Sequence, residues 1–244
     1  MIPNFDYAAR VKNGAGWRAF ERVRIFISVG QPYHEGNKLR AAVDWINRNP
    51  SIQEVHVSVN DFLQRHNLIA SGIAAERAGA TSIAEGGLWI ACNQDTLNRL
   101  QMHCRVTRWC DWYDQSCFPA TLSSLTDYAC ADVIFEEAIE RDAHALAARK
   151  AKRGEAVPYF EKLVQHSRDY VTEELAVFAL QAKALPAAEV YPGSNLASAE
   201  YLVSKALPPA IEPLATRHFT RIDFAHITTP NSGRAPSMPT LKIA

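Results

Sequence analysis

Short apolar runs alternate with segments of helical spacing along the first part of the chain. Residues 22–29 (RVRIFISV) and 54–59 (EVHVSV) are rich in β-branched side chains, which is typical of strands buried on both faces of a parallel sheet. Between them, residues 38–49 have the apolar spacing of one helical face and stop before Pro50. This order predicts a strand–helix–strand unit with parallel strands.

The same pattern continues through the rest of the chain. Further strands are predicted at 105–113, 188–194 and 218–227, and long helices at 127–153 and 158–184, with a break at Gly154. Alternating strands and helices predict an α/β fold, a single three-layer sandwich with a mainly parallel sheet. We expect one domain over residues 1–228 and a flexible tail rich in Pro, Ser and Gly over 229–244.

Composition narrows the class of protein. The 244 residues are 48% hydrophobic and contain 26 basic and 26 acidic side chains, so a polyanion would need a local basic patch. An N-terminus without a signal-peptide pattern and the absence of a long apolar run predict a cytoplasmic protein that does not bind membranes. Five cysteines without a CxxC pair predict free thiols and no metal site.

Ser28 is a candidate nucleophile because it ends the first buried strand, where parallel sheets collect reactive groups. Position alone favours an ordinary loop serine. The stretch FISVG has Phe26 where the hydrolase motif GxSxG has glycine, and His34-Glu35 is not a zinc motif because Lys38 replaces the second histidine of HExxH. No phosphate-binding loop is present, so the sequence predicts no nucleotide cofactor or ATP.

A carboxylate lies within the apolar stripe of the helix predicted at 158–184. Glu174 shares that face, Glu173 points away from it, and Tyr170 is one turn before Glu174. The stripe consists of Phe160, Leu163, Val164, Val171, Leu175 and Phe178. A carboxylate in such a place needs a cation, which is either an arginine of this chain or the ammonium group of a substrate.

Three separated elements together resemble one family. SVGQPYHEG starting at Ser28, YVTEE from Tyr170 to Glu174, and the pair Tyr191-Pro192 are similar to the motifs of the tRNA-dependent cyclodipeptide synthases. Gln31 stands where one branch of that family has asparagine, which indicates the branch with a variable residue followed by Tyr-Pro. The resemblance spans roughly residues 20–225. It implies a Rossmann-like domain similar to the catalytic domains of class I tyrosyl- and tryptophanyl-tRNA synthetases, without their ATP signatures.

The resemblance also implies a role for each matched residue. Ser28 would carry aminoacyl and then dipeptidyl groups taken from two aminoacyl-tRNAs, and a cyclic dipeptide would leave. Tyr170 and Glu174 would hold the α-amino group of the first residue, and Tyr191 would assist proton transfer in ring closure. The predicted substrate-binding residues are Phe26, Gln31, Tyr33 and Pro192. Glu174 or the substrate itself would relay the serine proton, and no cofactor is implied.

Basic residues near two predicted elements are candidates for tRNA binding. Those that end the helix 127–153 are Arg149, Lys150, Lys152 and Arg153, and those that flank the strand at 105–113 are Arg99, Arg105 and Arg108. The second group resembles the other basic helix of the family. The alternative for the first group is an ordinary solvated helix end.

Two other functions remain compatible with the sequence. One is a non-catalytic tRNA-binding protein with a synthetase-like fold, and the other is a serine hydrolase of small esters. Within the synthase hypothesis, Phe26 is expected to fill part of the first pocket, which favours a small first amino acid. The resemblance favours a monomer, and DNA is not an expected partner.

Overall fold

A six-stranded sheet forms the centre of the computed structural model, which describes residues 7–12, 20–152 and 160–227. The strands are β1 (Tyr7–Val11), β2 (Arg22–Ser28), β3 (Glu54–Asn60), β4 (His103–Arg108), β5 (Ala188–Tyr191) and β6 (Phe219–His226). Their order is β1-β6-β5-β2-β3-β4. Every neighbouring pair is parallel except β1 and β6, which are antiparallel.

Helices cover both faces of this sheet. They are α1 (Gly36–Asn47), α2 (Arg65–Ala70), α3 (Ala75–Leu97), α4 (Cys110–Tyr113), α5 (Phe118–Ala131), α6 (Val133–Lys152), α7 (Phe160–Ala184) and α8 (Ala197–Leu202). One apolar core lies between the sheet and helices α1 and α3, and a second lies between the sheet and helices α4 to α8. The predicted α/β fold class, a three-layer sandwich with a mainly parallel sheet, is confirmed.

Strand β2 contributes to both cores. Ile25 and Ile27 pack towards α1 and α3, whereas Phe26 packs with the α7 side, as the alternation of side chains along a strand requires. This is why the run reads as continuously apolar. Gly30 follows the strand with φ of +78°, a left-handed conformation that glycine adopts without strain, and lets the chain turn into α1.

Two element predictions were wrong in their bounds. Strand β4 ends at Arg108, and residues 110–113 form the short helix α4 instead of continuing the strand. The helix predicted at 127–153 is two helices, because Asp132 interrupts it between α5 and α6. The Asp132 carboxylate accepts hydrogen bonds from the backbone N–H groups of Ile134 and Phe135, both at 3.1 Å, and so caps the second helix.

The predicted stripe on α7 is buried at most of its positions. The exceptions are Phe160, with 45% of its surface exposed, and Val164, which is only partly buried. Glu173 was predicted only to point away from the stripe. In the structure its carboxylate is paired with Arg65 of α2 at 2.7 Å. Helix α7 is enclosed by α2, α5 and α6, so more than one of its faces is covered.

The pattern did not predict β1, α2, α3, α8 or the first part of α5. Helix α3 contains three glycines, which lower helix propensity. Gly86 is needed there for space, since a Cβ atom at this position would lie 2.4 Å from the Cβ of Asp61. The predicted break at Gly154 and the tail 229–244 lie outside the described residues. Within the described ranges, none of the helices combines the length and apolarity needed to cross a bilayer.

Candidate active site

The carboxyl ends of β2, β3 and β5 border one cavity of about 590 Å³. Ser28 ends β2, and its register partner Asn60 ends β3. Tyr191 ends β5. Helix α7 closes the other side with Tyr170 and Glu174, which also line the cavity. This is the edge at which parallel α/β sheets bind ligands.

Ser28 belongs to a short chain of hydroxyl groups. Its Oγ lies 3.1 Å from the hydroxyl oxygen of Tyr191, which in turn lies 3.3 Å from that of Tyr33. Burial raises the pKa of Tyr191 well above its usual value, so this phenol keeps its proton at any physiological pH. Tyr191 can therefore donate a hydrogen bond to an oxygen near Ser28.

The backbone of Ser28 is fixed by His34. The Ser28 N–H donates to Nδ1 of His34 across 2.8 Å. Burial lowers the pKa of His34 to about 4, although the Ser28 backbone acts in the opposite direction. The imidazole is neutral at pH 7, and its Nδ1 also lies 3.2 Å from the carbonyl oxygen of Ser28, so both backbone groups of the serine contact this nitrogen. His34 thus orients the loop and does not act as the base for Oγ.

Tyr170 is anchored by the end of β3. The side-chain amide of Asn60 donates to the Tyr170 hydroxyl oxygen at 3.0 Å, and Gln64 lies at 3.5 Å from the same oxygen. Desolvation raises the Tyr170 pKa well above its usual value. With its oxygen accepting from Asn60, the neutral hydroxyl of Tyr170 retains a proton to donate towards a ligand in the cavity.

Glu174 has no ionic partner among the described residues, and no hydrogen bond to it is found there. Burial raises its pKa to about 8, while Arg217 and Arg149 lower the pKa from a distance and Asp142 and Glu189 raise it. The alternative of a buried ion pair with an arginine of this chain is therefore not seen in the described part. The carboxyl group remains available to a ligand.

Aromatic side chains form the floor of the cavity. Phe26 packs against Phe178 with ring centroids 4.8 Å apart and meets the edge of Trp109 at 6.2 Å. The indole N–H of Trp109 is satisfied by Ser58 Oγ at 2.8 Å. Protein encloses these rings on the side away from the cavity, so the rings set the depth of the site.

A buried ionic network lies beneath this floor. Glu189 accepts from Arg217 Nε at 2.9 Å and lies 3.4 Å from Arg24 Nη1. The guanidinium of Arg217 stacks on Phe178, with its Cζ 4.1 Å from the ring centroid. Desolvation lowers the pKa of Arg24 to about 10, despite attraction to Glu189, so Arg24 stays charged at pH 7.

The remaining predicted substrate-binding residues differ in position. Gln31 and Tyr33 line the cavity, whereas Pro192 does not lie on its surface. Its neighbour Gly193 does, and a Cβ atom there would approach the ring of Tyr191 to 2.3 Å. Glycine at 193 is therefore required for the observed position of Tyr191.

The basic residues at the end of α6 separate into different environments. Arg149 is exposed and lies at the rim of the cavity. Lys150 is only 4% exposed, with Nζ 5.6 Å from the ring centroid of Tyr170, so it is not part of a solvent-exposed patch. Lys152 is exposed, and Arg153 lies outside the described residues.

The other three predicted tRNA contacts do not lie on a helix. Arg105 and Arg108 belong to β4, and Arg99 follows α3. Arg108 is bound to the buried Asp61 at 2.7 Å, and Arg99 pairs with Asp44 near the end of α1. Arg99 thus lies near the amino end of β4, whereas Ser28 lies at the carboxyl end of β2. The resemblance of these three residues to a basic helix was wrong.

Several residues of the site, in the cavity wall or behind it, were not predicted. They include His34 as a backbone anchor, Asn60, Gln64, Asp142 and Arg217. Asn60 could have been found, because it is the polar residue that ends the second buried run as Ser28 ends the first. The positions of Asp142 and Arg217 depend on contacts between distant segments, which leave no pattern in the sequence.

Comparisons with known proteins place the fold. No protein-family model matches the chain, and no curated protein matches it. A cyclodipeptide synthase structure from Fluoribacter dumoffii superposes with a TM-score of 0.77 at 23% identity, covering 90% of this chain and 99% of that one.

Two further structures have the same architecture. A cyclodipeptide synthase from Candidatus Glomeribacter gigasporarum, bound to Phe-tRNAPhe, gives a TM-score of 0.65 at 19% identity and covers 91% of this chain and 93% of its own. A Mycobacterium tuberculosis protein, whose structure relates cyclodipeptide synthetases to type I tRNA synthetases, gives 0.65 at 16% identity over 90% and 94%. The described residues of this chain therefore have the fold of the cyclodipeptide synthases.

Proposed function

We propose that this chain is a tRNA-dependent cyclodipeptide synthase that joins two aminoacyl groups on Ser28 and releases a 2,5-diketopiperazine. The observation that carries the proposal is the meeting of Ser28, Tyr191, Tyr170 and Glu174 on one cavity. A synthase fold with these four groups brought together from β2, β5 and α7 suits aminoacyl transfer better than ester hydrolysis, since the hydrogen bond found for Ser28 Oγ among the described residues is with Tyr191 and not with a histidine.

In the first step, Ser28 Oγ attacks the ester carbonyl of the first aminoacyl-tRNA. An Oγ–C bond forms, the bond to the ribose oxygen breaks, and the serine proton passes to that oxygen, which leaves as a hydroxyl group. Because the aminoacyl ester is already activated, no ATP is consumed. Tyr191, 3.1 Å from Oγ, is the described group best placed to assist this proton transfer.

Tyr170 and Glu174 hold the α-amino group of the bound residue. An ammonium group beside Glu174 supplies the cation that the described residues do not. Its charge favours the ionised carboxylate and so lowers a pKa that burial has raised to about 8. The ionised carboxylate can then take the proton that the amine must lose before it becomes a nucleophile.

In the second step, the amine of aminoacyl-Ser28 attacks the ester of a second aminoacyl-tRNA. An amide bond forms, the second tRNA leaves, and the dipeptide stays on Ser28. In the third step the free amine of the dipeptide attacks the Ser28 ester, the C–Oγ bond breaks, and the ring closes. Oγ recovers a proton, for which Tyr191 is the nearest described donor.

Exposed basic residues at the cavity rim support a tRNA substrate. Arg149 and Lys152 end α6 near the cavity and can contact phosphates, while the neutral net charge of the chain makes such a local patch necessary. The Candidatus Glomeribacter gigasporarum synthase, which shares the fold, was solved with Phe-tRNAPhe.

Trapping the covalent intermediate tests the proposal. The protein is mixed with tRNA carrying a radiolabelled amino acid, quenched in acid and analysed by intact mass and peptide mapping. We expect label on Ser28 and none in Ser28→Ala, together with diketopiperazines in the medium of an expressing bacterium. Binding of tRNA without label would instead indicate a non-catalytic binding protein. Turnover of a chromogenic ester without tRNA would indicate a hydrolase.

A further inference from the structure

Three metal-binding side chains meet on the side of α7 next to the cavity. His166 and Asp169 are three positions apart on α7 and share one face of the helix. His66 reaches them from α2. One ligand atom from each of the three lies within 4.8 Å of the other two.

His66 is buried without satisfying its ring nitrogens. Neither Nδ1 nor Nε2 forms a hydrogen bond of good geometry within the described residues, although Nε2 lies 3.0 Å from Oε2 of Glu173. Burying an imidazole in this way is costly unless another partner is present. Since Glu173 is next to Nε2, Nδ1 is the nitrogen left for a ligand.

Glu173 is itself held firmly. It accepts hydrogen bonds from Arg65 and from the hydroxyl of Tyr113, each at 2.7 Å. A carboxylate beside the second nitrogen of a histidine is the usual support of a metal-binding imidazole, because it fixes the ring orientation and raises the basicity of the ligating nitrogen. Glu173, which gives that support, lies on α7 one helical turn after Asp169.

His166 and Asp169 of α7 are accessible from solvent and offer ligand atoms to a cation. Both are half-buried, which leaves a path from solvent. Gln165 donates to Oδ1 of Asp169 at 3.1 Å, which leaves Oδ2 available. The positive charges of Lys162 and Lys150 lie close enough to act on His166, and they weaken the attraction for a cation.

We propose that His66, His166 and Asp169 form a binding site for a divalent transition-metal ion of the zinc type. Two imidazoles and one carboxylate, with a water as fourth ligand, match the ligand preference of Zn²⁺. Tetrahedral bonds of about 2.0–2.1 Å place ligand atoms about 3.4 Å apart, so atoms that lie within 4.8 Å of one another must close by up to about 1.4 Å on binding. Rotation of the two half-buried side chains provides this movement.

An ion at this site would link α2 to α7. Asn67 and Leu68 of α2 line the active-site cavity, and Tyr170 directly follows Asp169 on α7. The ion would therefore stabilise the wall of the cavity that holds Tyr170. This inference does not depend on the proposed synthase activity.

Metal titration of the full-length protein tests the site. After removal of metals by EDTA and then of EDTA by dialysis, Zn²⁺ binding is measured by calorimetry for the wild type, His166→Ala and Asp169→Asn. We expect one ion per chain in the wild type, at least ten-fold weaker binding in both variants, and a Zn²⁺-dependent rise in Tm only in the wild type. His103→Ala, which removes an exposed histidine of β4, is the matched control and should bind as the wild type does.

Co²⁺ distinguishes this site from exposed thiols. Co²⁺ bound by two imidazoles and a carboxylate should give weak visible bands without the intense ultraviolet thiolate band that Cys92, Cys117 or Cys130 would produce. Both variants change half-buried residues, and their Tm without metal checks folding. Absence of binding in the wild type would overturn the proposal, as would unchanged affinity in folded His166→Ala and Asp169→Asn.

Discussion

The imidazole of His34 accepts a hydrogen bond from the backbone N–H of Ser28, with Nδ1 2.8 Å from the nitrogen. The histidine is six residues from the serine and nearly fully buried, and its ring nitrogen is occupied by main chain instead of by Oγ. His34 is thus a positioning residue that holds the nucleophile-bearing loop. In a serine hydrolase a histidine would contact the hydroxyl itself.

We expect His34→Ala to slow acylation of Ser28 by about 10- to 100-fold, because a misplacement of about 1 Å is sufficient for such a loss. The buried Ser28 N–H would also lose its partner, at a cost of about 1–3 kcal/mol of stability. Single-turnover acylation and tRNA affinity are measured separately, and only the first should change. His34→Asn, which can place an oxygen near Nδ1, should recover most of the rate. A full rate in His34→Ala would exclude the positioning role.

Tyr191→Phe is expected to affect ring closure more than tRNA binding. The substitution removes the hydroxyl that lies 3.1 Å from Ser28 Oγ and keeps the ring. Dipeptidyl-enzyme should accumulate and diketopiperazine release should fall about 10²-fold or more, as for loss of a general acid or base. Intact mass measured over time follows both species.

Gly193→Ala provides a second variant at the same place. Its added Cβ would meet the Tyr191 ring at 2.3 Å, so the ring must move while the hydroxyl remains present. We expect a defect similar to that of Tyr191→Phe. Tyr33→Phe, which removes the outer hydroxyl of the chain, is the control and should have the smaller effect. Unchanged product release in Tyr191→Phe would contradict a proton-transfer role.

Glu174 should make the folded protein less stable as the pH rises. Its folded pKa of about 8 is above the ordinary value of 4.5, so the folded state binds more protons between these values and stability falls as pH increases through that window. Glu174→Gln is expected to remove this loss and to raise Tm by several degrees at pH 9, with little change at pH 5. Thermal unfolding at both pH values measures the difference.

Glu173→Gln is the matched control for this prediction. Although burial alone would raise it, the pKa of Glu173 is lowered by His66, Arg65 and Tyr113, so its carboxylate stabilises the fold at neutral pH. This variant should therefore lower Tm at pH 7.

If Glu174→Gln kept full rates of acylation and cyclisation, Glu174 would not relay protons.

The exposed basic residues at the end of α6 are expected to bind the tRNA backbone. Arg149→Glu with Lys152→Glu should weaken aminoacyl-tRNA binding at least ten-fold and flatten its dependence on salt, because two phosphate contacts are lost. Arg48→Glu, an exposed arginine that follows α1 at the opposite edge of the sheet, is the control. Equal affinity of the double variant and wild type at low and moderate salt would identify the residues as an ordinary solvated helix end.

Phe26 is expected to limit the size of the first aminoacyl group. It packs between Phe178 and Trp109 at the floor of the cavity, which leaves little depth there. Wild-type protein should be acylated faster by alanyl-tRNA than by phenylalanyl-tRNA, and Phe26→Gly should reduce or reverse that preference. Intact mass after single turnover with each tRNA measures it. Faster acylation by phenylalanyl-tRNA in the wild type would contradict the assignment.

The central strands and long helices were readable from local pattern. β2 and β3 are continuous β-branched runs because both of their faces are buried, and the helical spacing before Pro50 reflects the one face that α1 buries. The break at Asp132 and the turn after Trp109 were misread. An aspartate cap and a buried tryptophan are decided by contacts that hydrophobic periodicity does not record.

The sequence by itself determined the α/β class, the placement of Ser28 at a strand end and the anomaly of Glu174 on an apolar stripe, because each depends on neighbours within one or two turns of chain. Only the tertiary structure decided that Tyr191 meets Ser28, that His34 holds its backbone, that Lys150 is buried and that Arg99 is remote. These relationships join segments up to 163 residues apart. They follow from strand order and helix packing, for which no single segment carries the information.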